Sequence, residues 1–262
     1  MIGPECARTA VRSLRHAALT ACIIARLTAV VRCRYHGRRT DYGVCAALDN
    51  GGLVMLKIWG RRNSINVQKV LWCCAELDLP FERTDAGGQF GVNNTPEYRA
   101  MNPNGLVPTI NYDGFILWES HAIVRYLSGV HGLGTLWPGT PRAFAEADRW
   151  MEWYDTTIWP DLRPVFWNLV RIAPEKRDAA LVAASVQRLA ENLGIAEAHL
   201  AKHRYLGGDQ FTMGDIPMGV AAFRWFNLNL PAERPRHRHL EAWYQRILHR
   251  PAFQQHCAAP LT

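Results

Sequence analysis

The sequence NPNGLVPTINYDGFILWES, residues 102–120, carries most of the information about the fold. Two apolar runs, Val107 to Tyr112 and Phe115 to Trp118, flank Asp113-Gly114. An Asp-Gly pair between two such runs predicts a two-residue β-hairpin. Apolar residues then recur at helical spacing after Ser120. The stretch therefore predicts strand, turn, strand and helix in immediate succession.

A β-α-β pattern precedes this stretch. Leu53 to Trp59 is a short apolar run closed by Gly60, which predicts a buried strand. The next apolar residues follow the spacing of one helix face: Val67, Val70, Leu71, Cys74 and Leu77. Phe81 to Asp85 predicts a second strand. Residues 55–132 therefore predict one α/β domain of order β-α-β-loop-β-β-α.

The rest of the chain predicts helices only. Residues 133–144 contain Gly and Pro turns and are interpreted as a linker, and residues 145–262 as an all-α C-terminal domain. One long helix is predicted from Ala143 to Arg171. Thr212-Met-Gly-Asp215 has the spacing of a capping box and predicts a further helix start.

Residues 1–54 differ in composition from the remainder. They hold eight of the 30 basic residues but only three of the 23 acidic ones, so most of the net charge of +7 lies there. Three interpretations are open: a secretory signal, a transit peptide, or translated sequence upstream of a start at Met55. We favour the last and expect this extension to be disordered or not part of the fold. Because the globular part is nearly neutral, a nucleic-acid partner is not indicated.

Composition excludes several other classes. No apolar run approaches the roughly 18 residues of a membrane-spanning helix, so no membrane partner is expected. Seven cysteines in a chain of this length predict reduced thiols and a cytoplasmic location rather than a disulfide scaffold. His237 and His239 lack further ligands at zinc spacing, so no metal is expected.

Three short motifs carry candidate chemistry. Ser64 lies where the first strand gives way to a helix, so its hydroxyl either caps that helix or donates to an anion held there. Val107-Pro108 begins a strand, where a trans bond and a cis bond are both open; a cis bond would leave the Val107 backbone free to pair with an extended ligand. Glu119-Ser120 opens a helix and either caps it or binds an ammonium and a carboxylate together.

Taken jointly, these motifs resemble the cytosolic glutathione transferases over residues 55–262. The matching segments are Ser64-Ile-Asn66, Asn102 to Pro108, Leu117 to Ser120 with Ala122-Ile123, and the Thr212/Asp215 box. The resemblance implies a thioredoxin-like α/β domain followed by an all-helical domain, and a homodimer. The bacterial Nu-like branch is more similar still, with a serine here in place of its threonine.

The resemblance also implies a role for each candidate residue. Ser64 would activate the thiol of glutathione, the co-substrate, and Asn66 would donate a second hydrogen bond. Val107, ahead of a cis Pro108, would pair with the cysteinyl backbone. The γ-glutamyl end would be bound by Glu119 and Ser120, and Gln89 in the loop Gly87 to Phe90 would also contact glutathione.

The expected activity is a glutathione transferase, in which the thiolate attacks a small apolar electrophile in detoxification. The electrophile is expected between the domains, near a tryptophan-rich helix that carries Trp150, Trp153, Tyr154, Trp159 and Trp167. Two alternatives remain: a glutathione-dependent disulfide reductase or isomerase, and a non-catalytic interaction module of the same fold. Retention of Ser64 and of the Glu-Ser pair favours an enzyme.

Overall fold

The computed structural model describes residues 55–231 and 233–262. The predicted extension, residues 1–54, lies outside the described residues. Within the described part of the chain, no helix is long and apolar enough to cross a membrane.

The N-terminal half of the described chain is a mixed four-stranded sheet with three helices. In chain order the elements are β1 (Leu56–Trp59), α1 (Ile65–Glu76), β2 (Phe81–Thr84), α2 (Pro96–Met101), β3 (Thr109–Tyr112), β4 (Phe115–Trp118) and α3 (Ser120–His131). The sheet order is β2-β1-β3-β4, with β2 parallel to β1 and the other two pairs antiparallel. This is the α/β order that the sequence predicts.

The β3–β4 hairpin has the predicted two-residue turn. Asp113 and Gly114 adopt φ values of +53° and +82°, and a turn of this kind requires positive φ at both central residues. The Gly114 N–H donates to Oδ1 of Asn111 at 2.8 Å, and Tyr112 pairs with Phe115 across the turn. The turn thus fixes the register of the two strands.

The C-terminal half contains helices and turns: α4 (Pro141–Trp153), α5 (Trp159–Phe166), α6 (Ala179–Leu200), α7 (Asp215–Asn227), α8 (Arg238–Leu248) and α9 (Pro251–His256). The long helix predicted from Ala143 to Arg171 is interrupted by one π-helical turn, Tyr154–Ile158, and ends in a second, Trp167–Arg171. Helix α4 begins at Pro141, inside the segment interpreted as a linker.

Two helices were not predicted, α2 and α9, each of six residues. They are too short to show helical periodicity. Pro251 stands in the first turn of α9 and opens that helix. Proline fits there because its missing N–H would have no intrahelical partner in any case.

Helix α1 joins the two halves. Trp72 packs against Gly219 of α7, where a Cβ would lie 2.6 Å from the indole ring. The carboxylate of Glu76 accepts from Nε and Nη2 of Arg250 at 2.7 and 2.6 Å. Residues of α1 such as Val67 and Val70 are fully buried. The helix that carries the first predicted site residue is therefore held firmly from both halves.

Candidate active site

A cavity of about 340 Å³ opens at the starts of α1 and α3. Six of the seven site residues predicted from the sequence line it: Ser64, Asn66, Val107, Pro108, Glu119 and Ser120. The register of the sheet brings them together, because Trp59, Thr109 and Trp118 are consecutive partners across β1, β3 and β4. The segments that follow β1, precede β3 and follow β4 therefore meet at one edge of the sheet.

Ser64 occupies the N-cap position of α1 with an extended backbone, φ −84° and ψ 126°, but its side chain makes no capping hydrogen bond. The residue is 9% exposed, and its backbone C=O accepts from the Gln68 N–H at 2.9 Å. Capping normally uses the serine oxygen to satisfy a first-turn N–H. Here both the hydroxyl and those N–H groups remain available at the wall of the cavity.

The Val107–Pro108 peptide bond is cis, which resolves the alternative left open by the sequence. Neither the N–H nor the C=O of Val107 pairs with another described residue. The preceding carbonyl is fixed instead: Leu106 O accepts from Tyr98 Oη at 2.6 Å and from Asn102 Nδ2 at 3.0 Å. A rigid loop thus presents an unpaired backbone edge to the cavity.

Glu119 and Ser120 form the start of α3. Glu119 has φ +70° and ψ 114°, an unfavourable conformation for a residue with a side chain. Its carboxylate is exposed and has no ion-pair partner among the described residues. Ser120 is 6% exposed. The junction therefore presents an acid and a hydroxyl beside the N–H groups of a helix start.

Comparison with known proteins agrees with this geometry. The family model for the glutathione S-transferase N-terminal domain matches residues 63–129, and the model for the C-terminal domain matches residues 159–251. Glutathione S-transferase GstB of Escherichia coli (strain K12) is 41% identical over 211 residues, which cover 79% of this chain and 100% of that protein. This chain belongs to the glutathione S-transferase family.

Other members of the family are similar over the same region. Glutathione S-transferase 3 of Zea mays is 35% identical over 212 residues, 78% of this chain and 94% of that protein. The theta-class glutathione S-transferase of Xanthomonas axonopodis pv. citri, solved with glutathione bound, superposes with a TM-score of 0.76 at 45% identity, covering 80% of this chain and 100% of that one. The predicted family, fold class and enzyme class, with glutathione as co-substrate, are confirmed.

Gln89 is the one predicted site residue of the transferase that does not line the cavity. It is exposed on the short turn Gly88–Phe90. Arg61 packs over this loop, since a Cβ at Gly87 or Gly88 would lie 3.3 Å from Arg61 side-chain atoms. Both glycines also have positive φ, +81° and +60°. Arg61 thus contacts both this loop and the cavity, whereas no residue of the loop lines the cavity itself. Contact of Gln89 with glutathione stays a prediction.

A polar chain lies behind the wall of the cavity; Lys69 and His121 are buried and Asp155 is exposed. Lys69 Nζ is 2.9 Å from His121 Nε2, and His121 Nδ1 is 2.9 Å from an Asp155 carboxylate oxygen. Burial lowers the pKa of Lys69 to about 7. Burial, with the charge of Lys69, lowers the pKa of His121 to about 4. Because His121 follows Ser120, this chain ties the start of α3 to both α1 and the helical half.

The helical half contributes four lining residues that were not predicted from the sequence, Arg163, Phe166, Arg171 and Arg224. The cavity is lined by Trp159, Arg163, Phe166, Trp167 and Arg171, and by Arg224 of α7. The first five follow the spacing i, i+4, i+7, i+8, i+12, a helical face that the sequence could have revealed.

Of the five aromatic residues predicted near the electrophile, Trp159 and Trp167 line the cavity. Trp150 and Tyr154 are buried in the core instead. A wall with several arginines also differs from the apolar pocket that the sequence predicted.

The cysteines of the described chain, Cys73, Cys74 and Cys257, are free and buried. Burial raises the pKa of Cys73 to about 12 and raises the pKa values of the other two thiols as well. A thiolate is the reactive form of cysteine. These three residues therefore act as packing groups, as the sequence predicted for the first two.

Proposed function

We propose that this transferase holds the sulfur of glutathione at the start of α1 as a thiolate, stabilised there by the Ser64 hydroxyl. One observation carries the proposal: Ser64 stands in N-cap geometry at the wall of the cavity, yet its side chain caps nothing. A hydroxyl and a helix start that are both unpaired suit an anion. Asn66, two positions on and half-buried, is the second donor candidate.

The required pKa shift is within reach of these groups. A free thiol has a pKa of about 8.5, so little thiolate exists at neutral pH. A hydrogen bond to a charged group contributes about 1.5–3 kcal/mol, and 1.36 kcal/mol corresponds to one pKa unit. One hydroxyl and one helix terminus therefore lower the thiol pKa by about one to two units. At the upper end of this range thiolate predominates near pH 7, and the thiolate acts as the nucleophile.

The rest of the tripeptide has complementary groups along the same wall. The unpaired N–H and C=O of Val107 suit the backbone of the cysteinyl residue. The α3 start suits the γ-glutamyl carboxylate, through the Ser120 hydroxyl and first-turn N–H groups, and Glu119 suits the γ-glutamyl ammonium. Each polar group of the amino-acid end thus meets a partner that is unpaired in the described chain.

The second substrate enters from the side of the helical half. Trp159, Phe166 and Trp167 lie opposite the α/β residues and offer aromatic surface to it. The thiolate sulfur forms a bond to an electrophilic carbon, and the leaving group departs with its electron pair. Holding both reactants in one cavity turns a bimolecular step into an effectively unimolecular one.

Replacing Ser64 by Ala tests the central step. We expect Ser64→Ala to bind glutathione within about tenfold of the unsubstituted protein, because the hydroxyl supplies only one contact, of roughly 0.5–1.5 kcal/mol before the thiol ionises. The pKa of the bound thiol should rise by about one unit. Ultraviolet absorbance of the thiolate, titrated against pH with glutathione bound, measures this directly.

Two further variants make the result decisive. Ser64→Thr keeps the hydroxyl and should keep the low thiol pKa. Asn66→Ala removes the other candidate donor. If Ser64→Ala leaves the pH profile unchanged and Asn66→Ala shifts it, the activating role belongs to Asn66 and the proposal for Ser64 is wrong.

We also propose that the enzyme is a cytoplasmic homodimer acting in detoxification. The free thiols of Cys73, Cys74 and Cys257 are consistent with a reducing compartment. The dimer is expected from family resemblance, and sedimentation equilibrium of the purified protein tests it.

A further inference from the structure

Four arginines line the cavity: Arg61, Arg163, Arg171 and Arg224, here called the arginine cluster. Glu119 is the only acidic residue among the lining residues. None of the four makes an ion pair with another described residue, whereas Arg125, Arg188 and Arg250 each pair with a carboxylate. The cavity is therefore strongly basic in a chain whose described part is nearly neutral.

Arg224 is the most informative member of the cluster. It is 3% exposed, and its guanidinium donates only to uncharged oxygens, Oε1 of Gln68 at 3.1 Å and the Val220 carbonyl at 3.3 Å. Burial lowers its pKa to about 10. Buried charges in proteins are normally paired because an unpaired one is costly. A buried guanidinium without an anion, at a cavity wall, indicates a site for an anionic ligand.

Arg171 lies near Arg224 on the same side of the cavity. The Cζ atoms of Arg224 and Arg171 are 5.1 and 5.8 Å from the centroid of the Phe166 ring. Burial, together with the positive charge of Arg171, lowers the pKa of Arg61 and of Arg224. Both come from the helical half, opposite the residues proposed to bind glutathione. Two guanidiniums on one aromatic ring form a site for an anionic group attached to an apolar body.

Glutathione itself does not account for the whole cluster. In the proposed complex its γ-glutamyl carboxylate lies at the start of α3 and its ammonium lies against Glu119. Only two negative groups of glutathione, the glycyl carboxylate and the thiolate, then remain to pair with the four guanidinium groups. Arg61 is the member on the α/β side, packed on Gly87 and Gly88. Arg171 and Arg224 therefore face the space left for the second substrate.

We infer that the second substrate is an electrophile that carries a carboxylate, bound by Arg171 and Arg224 beside Phe166. This rests on the proposed transferase function and replaces the small apolar electrophile expected from the sequence. For an aryl halide, the thiolate sulfur forms a bond to the ring carbon and the halide leaves with the bonding electron pair. The carboxylate is unchanged, and no oxidant or reductant is needed.

A matched pair of electrophiles tests the inference, 4-fluoro-3-nitrobenzoate and 4-fluoro-3-nitrobenzamide. They present the same leaving group and differ in the charge of one substituent. We expect kcat/KM, divided by the uncatalysed rate with glutathione, to be about tenfold or more greater for the benzoate, since a hydrogen bond to a charged group contributes roughly 1.5–3 kcal/mol. The preference should weaken as ionic strength rises.

Substitutions then assign the preference to residues. Arg171 is exposed, so Arg171→Gln should fold normally and should reduce the benzoate-to-benzamide ratio severalfold. Arg224→Gln should reduce it further, provided that circular dichroism and thermal unfolding show a folded protein. Arg142→Gln removes an exposed positive charge outside the cavity wall and should leave the ratio unchanged.

Chlorodinitrobenzene, an electrophile without a carboxylate, distinguishes a failure of the proposed transferase function from a failure of the proposed carboxylate preference. No turnover of any of the three electrophiles would contradict the proposed function itself. Turnover of chlorodinitrobenzene with a benzoate-to-benzamide ratio near one, unaffected by Arg171→Gln, would leave the transferase intact and overturn the inference.

Discussion

Helices α1 and α4 begin with the same kind of residue, and the two starts are used differently. Thr140 caps α4: its backbone is extended and its Oγ1 accepts from the Ala143 N–H at 3.2 Å. Ser64 also has an extended backbone at the start of α1, but its hydroxyl accepts from no first-turn N–H. Only the Ser64 start faces the cavity. A hydroxyl at a helix start is thus ambiguous in sequence, and its hydrogen bonds distinguish a structural cap from a ligand site.

The same contrast extends to the other helix starts. Thr95 and Asp178 cap α2 and α6 with bonds of 3.2 and 2.9 Å to the third residue of each helix. At α7 the carboxylate of Asp215 accepts from the N–H groups of Leu206 and Thr212 and from Trp243 Nε1. The starts of α2, α6 and α7, all away from the cavity, are satisfied internally. We expect substitutions there to affect stability, whereas substitutions at the cavity should affect activity.

The largest effect is expected at α7. Asp215→Ala leaves four buried donors without their acceptor, the three named above and the more distant Thr212 hydroxyl at 3.4 Å. Each unpaired buried group costs roughly 1–3 kcal/mol. The free energy of unfolding should therefore fall by at least about 3 kcal/mol, measured by urea denaturation. Asp215→Asn keeps one acceptor oxygen and should lose less. A loss below about 1 kcal/mol for the alanine variant would mean that these donors are not held by the carboxylate alone.

The second prediction compares two variants with opposite expected effects, one at the start of α4 and one at the start of α1. Thr140→Ala removes a cap and should lower the free energy of unfolding by about 1 kcal/mol without changing kcat. Ser64→Ala removes no cap bond, so stability should change by less than about 0.5 kcal/mol, while the rate near pH 7 falls severalfold, and by at most about tenfold, for a rise of about one unit in the thiol pKa. Steady-state kinetics and denaturation of both proteins measure this. Equal losses of unfolding free energy for the two variants would mean that Ser64 caps α1 as Thr140 caps α4, and would contradict a ligand-binding role for the free Ser64 hydroxyl.

A smaller effect is expected at Glu119, where the backbone has φ +70°. Glycine adopts such a conformation more readily, so Glu119→Gly should raise the free energy of unfolding by about 1–2 kcal/mol. The same change removes the proposed ammonium partner and should raise KM for glutathione severalfold. Glu119→Gln controls for the loss of charge alone and should raise KM without the gain in stability. A less stable glycine variant would show that the strained backbone is not costly.

The sequence predicts this molecule well where patterns are local. The Asp113-Gly114 turn and the helical face of α1 are decided within a few residues, so both were predictable. The six predicted residues at the cavity share one property, a position where a strand meets a loop or a helix. Their closeness depends on strand register.

The arginine cluster was missed for the opposite reason. Arg163 and Arg171 are exposed helix residues, which in a sequence look like an ordinary solvent-facing surface. Arg224 is 53 positions further along the chain than Arg171. Only the packing of α7 against α5 makes these residues one site, with Arg224 beside Phe166. The irregularity of the predicted long helix, by contrast, has a local signal: Pro160 and Pro164 lie between its two π turns, and a proline inside a helix removes a backbone hydrogen bond.

The smallest effect is expected at Lys69. This residue places a buried amino group on the interior side of α1, whereas α4 contains no lysine. Lys69 faces His121, the Tyr154 ring at 4.1 Å, and the charges of Asp155, Arg224 and Glu119. Its pKa is about 7 in the folded protein against an ordinary 10.5, so between these values the unfolded chain binds more protons and stability rises with pH. Lys69→Met abolishes this dependence. The difference in unfolding free energy between Lys69→Met and the unsubstituted protein should therefore shift by about 1 kcal/mol against the variant from pH 7 to pH 8. Lys57→Met, on an exposed position of β1, controls for loss of the charge, and a shift of the same size there would refute a role for burial.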